Sequence, residues 1–207
     1  SLGLVTPLAA GLADRGWEVT VVSDITGEHK AITAPNVSYV AIPMKREPVP
    51  FHDAISLLGW IRFLASRRPD VVMAGTPKAS LLALVAARMI GIKTRIYHLR
   101  GLRLETVPLG VKRQVLEMLE KVTASSATSL LAVSRSLGDL VFDMGLSGGQ
   151  AVDVVGSGSS KGVDLARFEG VDDIRIEEIK SQIGLTLICP RSALSAESPK
   201  IRVWMIC

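Results

Sequence analysis

Short runs of β-branched residues alternate along this chain with longer segments whose apolar residues recur at helical spacing. Glu18-Val-Thr-Val-Val-Ser23 and Asp70-Val-Val-Met-Ala74 have the length and residue types of buried strands. Helical segments of about 11 to 16 residues separate most such runs, so consecutive strands are expected to lie parallel through right-handed crossovers. The alternation predicts an α/β fold with a doubly wound parallel sheet and helices on both of its faces.

The predicted elements form one continuous series. Helices are predicted at 2–15, 52–67, 79–89, 111–125 and 134–145, and strands at 18–23, 37–42, 70–74, 93–98, 129–133 and 151–155. Thr76 and Pro77 suit the N-cap and the first position of the third helix. No internal repeat or low-complexity linker interrupts the series, so residues 1–168 are predicted to form one domain, followed by a linker helix within 169–184.

Composition and charge exclude several classes of protein. With 48% hydrophobic and 21% charged residues, the chain of 207 residues is globular. The net charge of +4 suits an anionic partner, but the basic residues are spread out and aromatic residues make up only 4%, so nucleic-acid binding is not expected. No run of about 18 apolar residues and no signal-peptide pattern occurs, which predicts a cytoplasmic protein.

Two arginines follow the strand predicted at 93–98. In an open parallel sheet, ligands bind outside the carboxyl ends of the strands, where Arg100 and Arg103 are placed. Guanidinium groups bind phosphate oxygens through paired, charge-assisted hydrogen bonds, so the pair favours a phosphate-bearing ligand. The alternative is that both form surface ion pairs with the acidic residues further along the chain, namely Glu105, Glu117 and Glu120.

Other polar residues near the predicted strand ends have two interpretations each. His98 either lines the same crevice or is an ordinary half-buried strand residue. Lys78, at the start of a helix, either binds an anion or faces solvent. The histidines are far apart and the cysteines, Cys189 and Cys207, have no metal-ligand spacing, so no metal site is predicted.

A glycine-rich segment follows the last predicted strand. Gly156, Gly158 and Gly162 have the wrong spacing for a dinucleotide-binding loop, which argues against an oxidoreductase or epimerase, and Lys161 precedes its glycine, unlike the lysine of a P-loop. A flexible loop with donor amides, bordering a cleft between domains, is the preferred interpretation. Ser157 is not in a nucleophile-elbow sequence, so acyl transfer has no support.

The helix predicted at 52–67 is apolar and has arginines near its end. Arg62, Arg67 and Arg68 would allow such a helix to lie on an anionic membrane surface. The alternative is an ordinary helix that faces the core.

An ordered set of short blocks resembles the N-terminal half of the family-4 glycosyltransferases, retaining enzymes built from two Rossmann-like domains in the arrangement called GT-B. The likeness is greatest to bacterial enzymes of capsular, exopolysaccharide or lipid-linked glycan synthesis, and it covers residues 1 to about 184. The blocks are Pro69-Asp70-Val-Val, Thr76-Pro-Lys78, Ala86-Ala-Arg88, Tyr97-His-Leu-Arg-Gly-Leu-Arg103, Leu119-Glu-Lys121, Ala132-Val-Ser134-Arg-Ser136 and Gly156-Ser-Gly-Ser-Ser-Lys-Gly-Val-Asp164.

The resemblance implies transfer of a sugar from a nucleotide sugar, with a UDP-sugar preferred, to a polyprenyl-diphosphate-linked or polysaccharide acceptor with retention of configuration. It implies no cofactor, and a location in the cytoplasm or at the cytoplasmic face of the inner membrane. The N-terminal domain of such enzymes binds the acceptor. The acceptor- and phosphate-binding positions correspond here to Thr76, Lys78, His98, Arg100 and Arg103, and the loops at the inter-domain cleft to Ser134, Gly156, Ser157, Gly158, Lys161 and Gly162.

The chain departs from the family pattern at both ends. Relatives begin with a strand before the first helix, and without it the strand at 18–23 has no partner toward the strand at 70–74. Relatives also continue into a donor-binding domain with a Glu-x7-Glu pair, whereas residues 185–207 follow no family pattern and are interpreted as a frameshifted tail or a genuine divergent terminus. The expectation is therefore an inactive glycosyltransferase fragment, and the alternative is a non-catalytic module that binds a diphosphate lipid or a partner protein.

Overall fold

The computed structural model describes residues 2–23, 36–42 and 50–160, all of which belong to one compact unit. Strands and helices alternate as the sequence predicted, and each predicted element in this part forms within two residues of its predicted bounds. The predicted linker helix, Lys161 and Gly162 lie outside the described residues. The elements are α1 (Leu2–Ala13), β1 (Val19–Ser23), β2 (Val37–Ala41), α2 (Pro50–Arg67), β3 (Val71–Ala74), α3 (Pro77–Met89), β4 (Thr94–Leu99), a 3-10 turn (Arg103–Thr106), α4 (Val111–Ser126), β5 (Ser129–Ala132), α5 (Arg135–Asp143) and β6 (Val152–Val154).

All the described strand pairs are parallel. Strands β3, β4, β5 and β6 pair in that order in a four-stranded sheet, and β1 pairs with β2. The strands β3, β4 and β5 are each followed by a helix that leads to the next strand, which is the βαβ connection expected of parallel neighbours. The carboxyl ends of β3 to β6 therefore meet at one edge. The fold is a Rossmann-like α/β domain, as predicted.

Within the described ranges, the two sheets are not joined by backbone hydrogen bonds. Strand β1 pairs only with β2, and β3 pairs only with β4, so one side of each strand lacks a partner strand. This is the break that the family resemblance implied. Side-chain packing crosses the break, because Ile42 is buried in the main core and Val22 and Val40 pack against it.

Helix α3 is the best-buried helix of the main core. It packs between α2 and α4 and against β3 and β4. Its buried side chains are mostly small, which allows close approach of the neighbouring helices and strands; they are Ser80, Leu82, Ala83, Leu84, Ala86 and Ala87. The N-terminus of α3 is consequently held at the carboxyl edge of the sheet.

Helix α2 turns one face to the core, which agrees with the second of its two interpretations. Trp60 and Leu64 are buried, and the ring of Phe63 meets Trp60 edge-on with centroids 6.3 Å apart. Ile55 and Leu58 remain exposed on the same helix. Among the helices of the described ranges, none has both the length and the apolar character needed to cross a membrane.

A buried polar pair joins β4 to α4. The hydroxyl of Tyr97 donates a hydrogen bond of 2.7 Å to Oε2 of Glu120, and both side chains are buried. Burial raises the pKa of Glu120, although the hydrogen bond from Tyr97 acts in the opposite direction. Burial is also the main cause that raises the pKa of Tyr97, followed by the negative charge of Glu120. The pair fixes α4 against the sheet by a specific contact.

Candidate anion-binding site

Four loops meet at the carboxyl edge of the larger sheet, one after each strand. Gly75 follows β3, Arg100 follows β4, Ser134 lies just after β5, and the glycine-rich segment that begins at Gly156 follows β6. Because the strands are parallel neighbours, these loops lie side by side in strand order. Arg100, Ser134 and Gly156 thus fall on adjacent loops of one edge, where open parallel sheets bind ligands.

Arg100 lies directly over Gly75. A Cβ built on Gly75 would be 3.2 Å from Nε of Arg100 and 3.1 Å from the carbonyl oxygen of His98. A side chain at position 75 would force the Arg100 guanidinium or the His98 carbonyl to shift by a few tenths of an ångström, so glycine suits this close contact. Nε of Arg100 is buried and has no hydrogen-bond partner among the described residues. The arginine is therefore positioned by packing, and its side chain as a whole is half-buried at this edge.

His98 is fully buried beside Arg100. Only 5% of its surface is exposed, and Nδ1 has no hydrogen-bond partner in the described part of the chain. Burial, followed by the positive charge of Arg100, lowers the pKa of His98 to about 4. The imidazole is neutral at physiological pH, so Nδ1 is either a donor or an acceptor without adding charge. His98 is thus a residue of β4 that is more deeply buried than the half-buried strand residue of one sequence interpretation.

Two helices begin at this edge. Thr76 occupies the N-cap position of α3 and Pro77 its first turn, as predicted, but the Thr76 side chain makes no capping hydrogen bond. Ser134 is the N-cap of α5, and its hydroxyl accepts a hydrogen bond of 3.2 Å from the amide of Leu137. Helix N-termini carry partial positive charge and free amides, so both starts favour an anion at this edge.

Lys78 is bound to an acidic side chain of α2. Its Nζ lies 2.6 Å from Oδ1 of Asp53, and both side chains are about one-fifth exposed, at 18% and 24%. Neither sequence interpretation anticipated this partner. The ion pair fixes the ammonium group near the α3 start and offsets much of its charge, so Lys78 adds less attraction for an anion than a free lysine would.

Of the three acidic residues in the alternative, Glu117 and Glu120 have partners other than the two arginines, and the side chain of Glu105 lies outside the described part of the structure. Glu117 pairs with Arg113 at 3.1 Å, and Glu120 accepts the hydrogen bond from Tyr97. Among the described side chains, the ion pairs are Arg113–Glu117 and Lys78–Asp53, and neither includes Arg100 or Arg103. Arg103 is exposed at the start of the 3-10 turn.

The glycine-rich loop packs on the loop after β5. Gly156 and Gly158 both have positive φ, at 59° and 86°, a conformation that favours glycine. A Cβ on Gly158 would lie 2.6 Å from the carbonyl oxygen of Val133 and 3.1 Å from Cα of Ser134. The two loops are therefore in backbone contact. Ser157, between the glycines, is exposed.

Sequence reasoning missed two residues of this site. Gly75 was not singled out, although a glycine directly after a buried strand is a signal of close backbone approach. Asp53 was not singled out either. No sequence signal connects it to Lys78, because the two residues are 25 positions apart on different helices. In the described ranges, no group of three or more His, Cys, Asp or Glu side chains is placed to bind a metal ion.

Replacing Gly75 with alanine is expected to displace Arg100 and to lower the free energy of unfolding by about 1 kcal/mol, because the new methyl group overpacks the contact. Urea denaturation of the two proteins measures the difference. Gly101→Ala is the matched control, since a Cβ there meets nothing within 4 Å. Equal losses of stability in both variants would contradict the close packing of Arg100 on Gly75.

The described domain belongs to the class of Rossmann-like α/β domains, and at the carboxyl edge of its larger sheet Arg100 packs over Gly75. The profile of the family described as "Glycosyl transferase 4-like domain" matches residues 5–158. The chain belongs to this family. It is also 40% identical over 167 residues to the capsular polysaccharide biosynthesis glycosyltransferase CapM of Staphylococcus aureus, an alignment that covers 81% of this chain and 43% of CapM. The chain thus spans less than half the length of that relative.

Proposed function

We propose that this domain is the acceptor-side half of a glycosyltransferase of capsular or related polysaccharide synthesis. The reaction moves a sugar, with retention, from a nucleotide sugar, preferably a UDP-sugar, to a glycan acceptor on polyprenyl diphosphate. The site works at the cytoplasmic face of the inner membrane. Family membership and the likeness to CapM support the reaction class, and the chemistry of the edge supports the diphosphate.

One observation carries the proposal. Arg100 is packed on Gly75 with an unpaired Nε, and it lies at the sheet edge where α3 and α5 begin. A diphosphate carries several negative charges on oxygen acceptors, which match a guanidinium and helix-start amides. A neutral sugar alone would leave this positive charge unused.

The surrounding residues have complementary roles in the proposal. Arg103 is exposed and unpaired among the described side chains, so it binds the second phosphate or an acceptor hydroxyl. Thr76 provides a hydroxyl that is free of capping, and Lys78 is a fixed positive charge behind it. Ser134, Gly156, Ser157 and Gly158, with Lys161 and Gly162 beyond them, border the cleft toward a donor domain. The chain's arginines and amides stabilise negative charge on the diphosphate without a protein nucleophile.

The first test is binding of inorganic pyrophosphate and of farnesyl diphosphate, a short polyprenyl diphosphate, by isothermal titration calorimetry. Arg100→Ala is expected to weaken binding of both ligands about tenfold, because one charge-assisted hydrogen-bonding group is lost. Arg15→Ala is the control: Arg15 is an exposed cation in the turn after α1, and its guanidinium donates a hydrogen bond to the carbonyl of Gly11, away from the carboxyl edge of the larger sheet. Unchanged affinity in Arg100→Ala would contradict the proposed site.

A second measurement separates the glycosyltransferase half from the alternative, a non-catalytic module that binds a diphosphate lipid or a partner protein. The chain as it stands is expected to form no product from UDP-sugars and a lipid-linked acceptor, because it covers only 43% of the relative CapM. Adding the separately produced part of CapM that this chain does not cover is expected to restore transfer. Failure of restoration, with binding intact, favours the binding module.

A further inference from the structure

Helix α4 has two apolar faces on opposite sides. The inner face packs on the core through residues such as Leu116 and Ala124. On the outer face, apolar side chains recur at intervals of three and four residues, which places them in one stripe along the helix. The outer stripe consists of Val111, Val115, Met118 and Val122, which are 76%, 48%, 60% and 39% exposed.

An ordinary surface helix is polar on its outer side, so this stripe calls for an explanation. Leu109 extends it, because this residue lies in the loop just before the helix and is 88% exposed. Single exposed apolar residues are normal on protein surfaces, but a continuous row marks an interaction site.

The charges beside the outer stripe are positive. Lys112 and Lys121 are exposed, one near each end of the helix. Arg113 and Glu117 form an ion pair with each other and contribute no net charge. The remaining acidic residue of α4, Glu120, is buried on the opposite side and bonded to Tyr97. An apolar stripe with cationic flanks and no free acidic group complements an anionic surface.

The size of the outer stripe argues against a second copy of the chain as its partner. From Val111 to Val122 the helix rises about 17 Å, and a helix face is about 10 Å wide, so the stripe covers on the order of 200 Å². A stable protein–protein interface buries about 800 Å² on each partner. A lipid bilayer needs no matching area, since an amphipathic helix inserts its apolar side chains into the headgroup region one helix at a time.

The outer stripe begins at the same edge of the sheet as the candidate anion-binding site. Because α4 connects the parallel strands β4 and β5, it begins at the carboxyl edge of the sheet, where Arg100 lies. Leu109 and Val111 are thus at the same edge as the anion-binding loops. A membrane in contact with this end of α4 would place phosphate headgroups at the level of that edge.

We propose that the outer stripe of α4, with Leu109, docks this domain on an anionic lipid bilayer. Val111, Val115, Met118 and Val122 enter the interface, and Lys112 and Lys121 bind anionic headgroups. Docking in this orientation would present the candidate site to a lipid-linked acceptor. That purpose rests on the proposed function, whereas the docking itself does not.

Vesicle flotation of the full chain tests the proposal, with vesicles of phosphatidylglycerol and phosphatidylethanolamine in equal amounts. The double variant Val115→Gln, Met118→Gln is expected to bind at least about tenfold more weakly, since two apolar side chains no longer enter the interface. Both positions are exposed and glutamine is a good helix former, so folding is expected to be retained. Circular dichroism confirms this before flotation.

The matched control is Met89→Gln, which removes an apolar side chain that is 65% exposed on α3 and outside the stripe; its binding is expected to equal that of the wild type. Lys112→Gln and Lys121→Gln are each expected to weaken binding about fivefold, an effect that disappears on vesicles of phosphatidylcholine alone. Equal flotation of the wild type and the Val115, Met118 variant would overturn the proposal. So would concentration-dependent dimerisation that the same variant abolishes, because the stripe would then bind a second copy.

The double variant Val115→Gln, Met118→Gln separates this proposal from the proposed function. Its two positions lie on α4 and outside the anion-binding loops, so its pyrophosphate binding is expected to equal that of the wild type while its flotation is lost. Loss of flotation with unchanged pyrophosphate binding would support docking alone. Unchanged flotation of the double variant, together with loss of pyrophosphate binding in Arg100→Ala, would support the site alone and overturn docking.

Discussion

Acidification from pH 6.5 to pH 4 is expected to remove about 3 kcal/mol from the free energy of unfolding through His98 alone. The pKa of His98 is about 4 in the folded chain against 6.5 for an ordinary histidine, because the ring is buried and Arg100 is close. Between these values the unfolded chain binds a proton that the folded chain does not, so a falling pH favours unfolding. The stabilisation is complete above pH 6.5, and its loss is complete below about pH 4.

Urea denaturation at pH 7 and pH 4 measures this loss when the wild type is compared with His98→Gln, whose side chain takes up no proton. The variant is expected to lose about 3 kcal/mol less than the wild type over this range. His52→Gln controls for the removal of a histidine, since His52 is exposed on α2, and it should keep the wild-type loss. If His98→Gln loses as much stability as the wild type, the buried neutral histidine is not the acid-sensitive group.

Replacing Glu120 with alanine is expected to lower the free energy of unfolding by about 3 kcal/mol at neutral pH. The change leaves the buried hydroxyl of Tyr97 without its acceptor and opens a space between β4 and α4. Glu120→Gln keeps an oxygen acceptor and nearly the same volume, so its loss is expected to be small. Chemical denaturation of both variants measures the difference, and a loss in Glu120→Gln as large as that in Glu120→Ala would contradict the hydrogen-bond explanation.

The Tyr97–Glu120 pair predicts a pH dependence of stability that is opposite to the one expected from His98. Because burial raises the pKa of Glu120 above its usual 4.5, its protonated form stabilises the fold at lower pH, and this contribution decreases as the pH rises through the folded pKa. Glutamine does not ionise. The stability of Glu120→Gln relative to the wild type is therefore expected to increase from pH 4.5 toward neutral pH. A relative stability that decreases over this interval would show that the ionised carboxylate is preferred.

The sequence predicted the elements of the fold well because each has a local signal. Runs such as Val19–Ser23 are β-branched, and Ser134 is followed by a helix that it caps, so both could be found from neighbouring residues alone. The break between the two sheets was predicted from the resemblance to a known family, not from a local signal. Strand pairing across that break depends on which strands are present, a property that no local pattern contains.

The candidate site could be predicted only in part. Arg100 was identified because a strand end and a charged group coincide in sequence, but its contact with Gly75 arises from β3 pairing with β4. The burial of His98 likewise depends on what packs around it. The partner of Lys78 and the exposed stripe of α4 are set by tertiary packing, since an apolar stripe reads the same in sequence whether it faces the core or solvent.

The break between the sheets has a consequence for how this domain unfolds. Helix α1 and strands β1 and β2 share a small core of their own, formed by residues such as Leu12 and Val19. In the described part of the chain, no backbone ladder connects this unit to the larger sheet, so side chains such as Ile42 provide the link. Packing without a ladder transmits cooperativity poorly, and this unit is free to open as a separate foldon while the sheet with the candidate site stays folded.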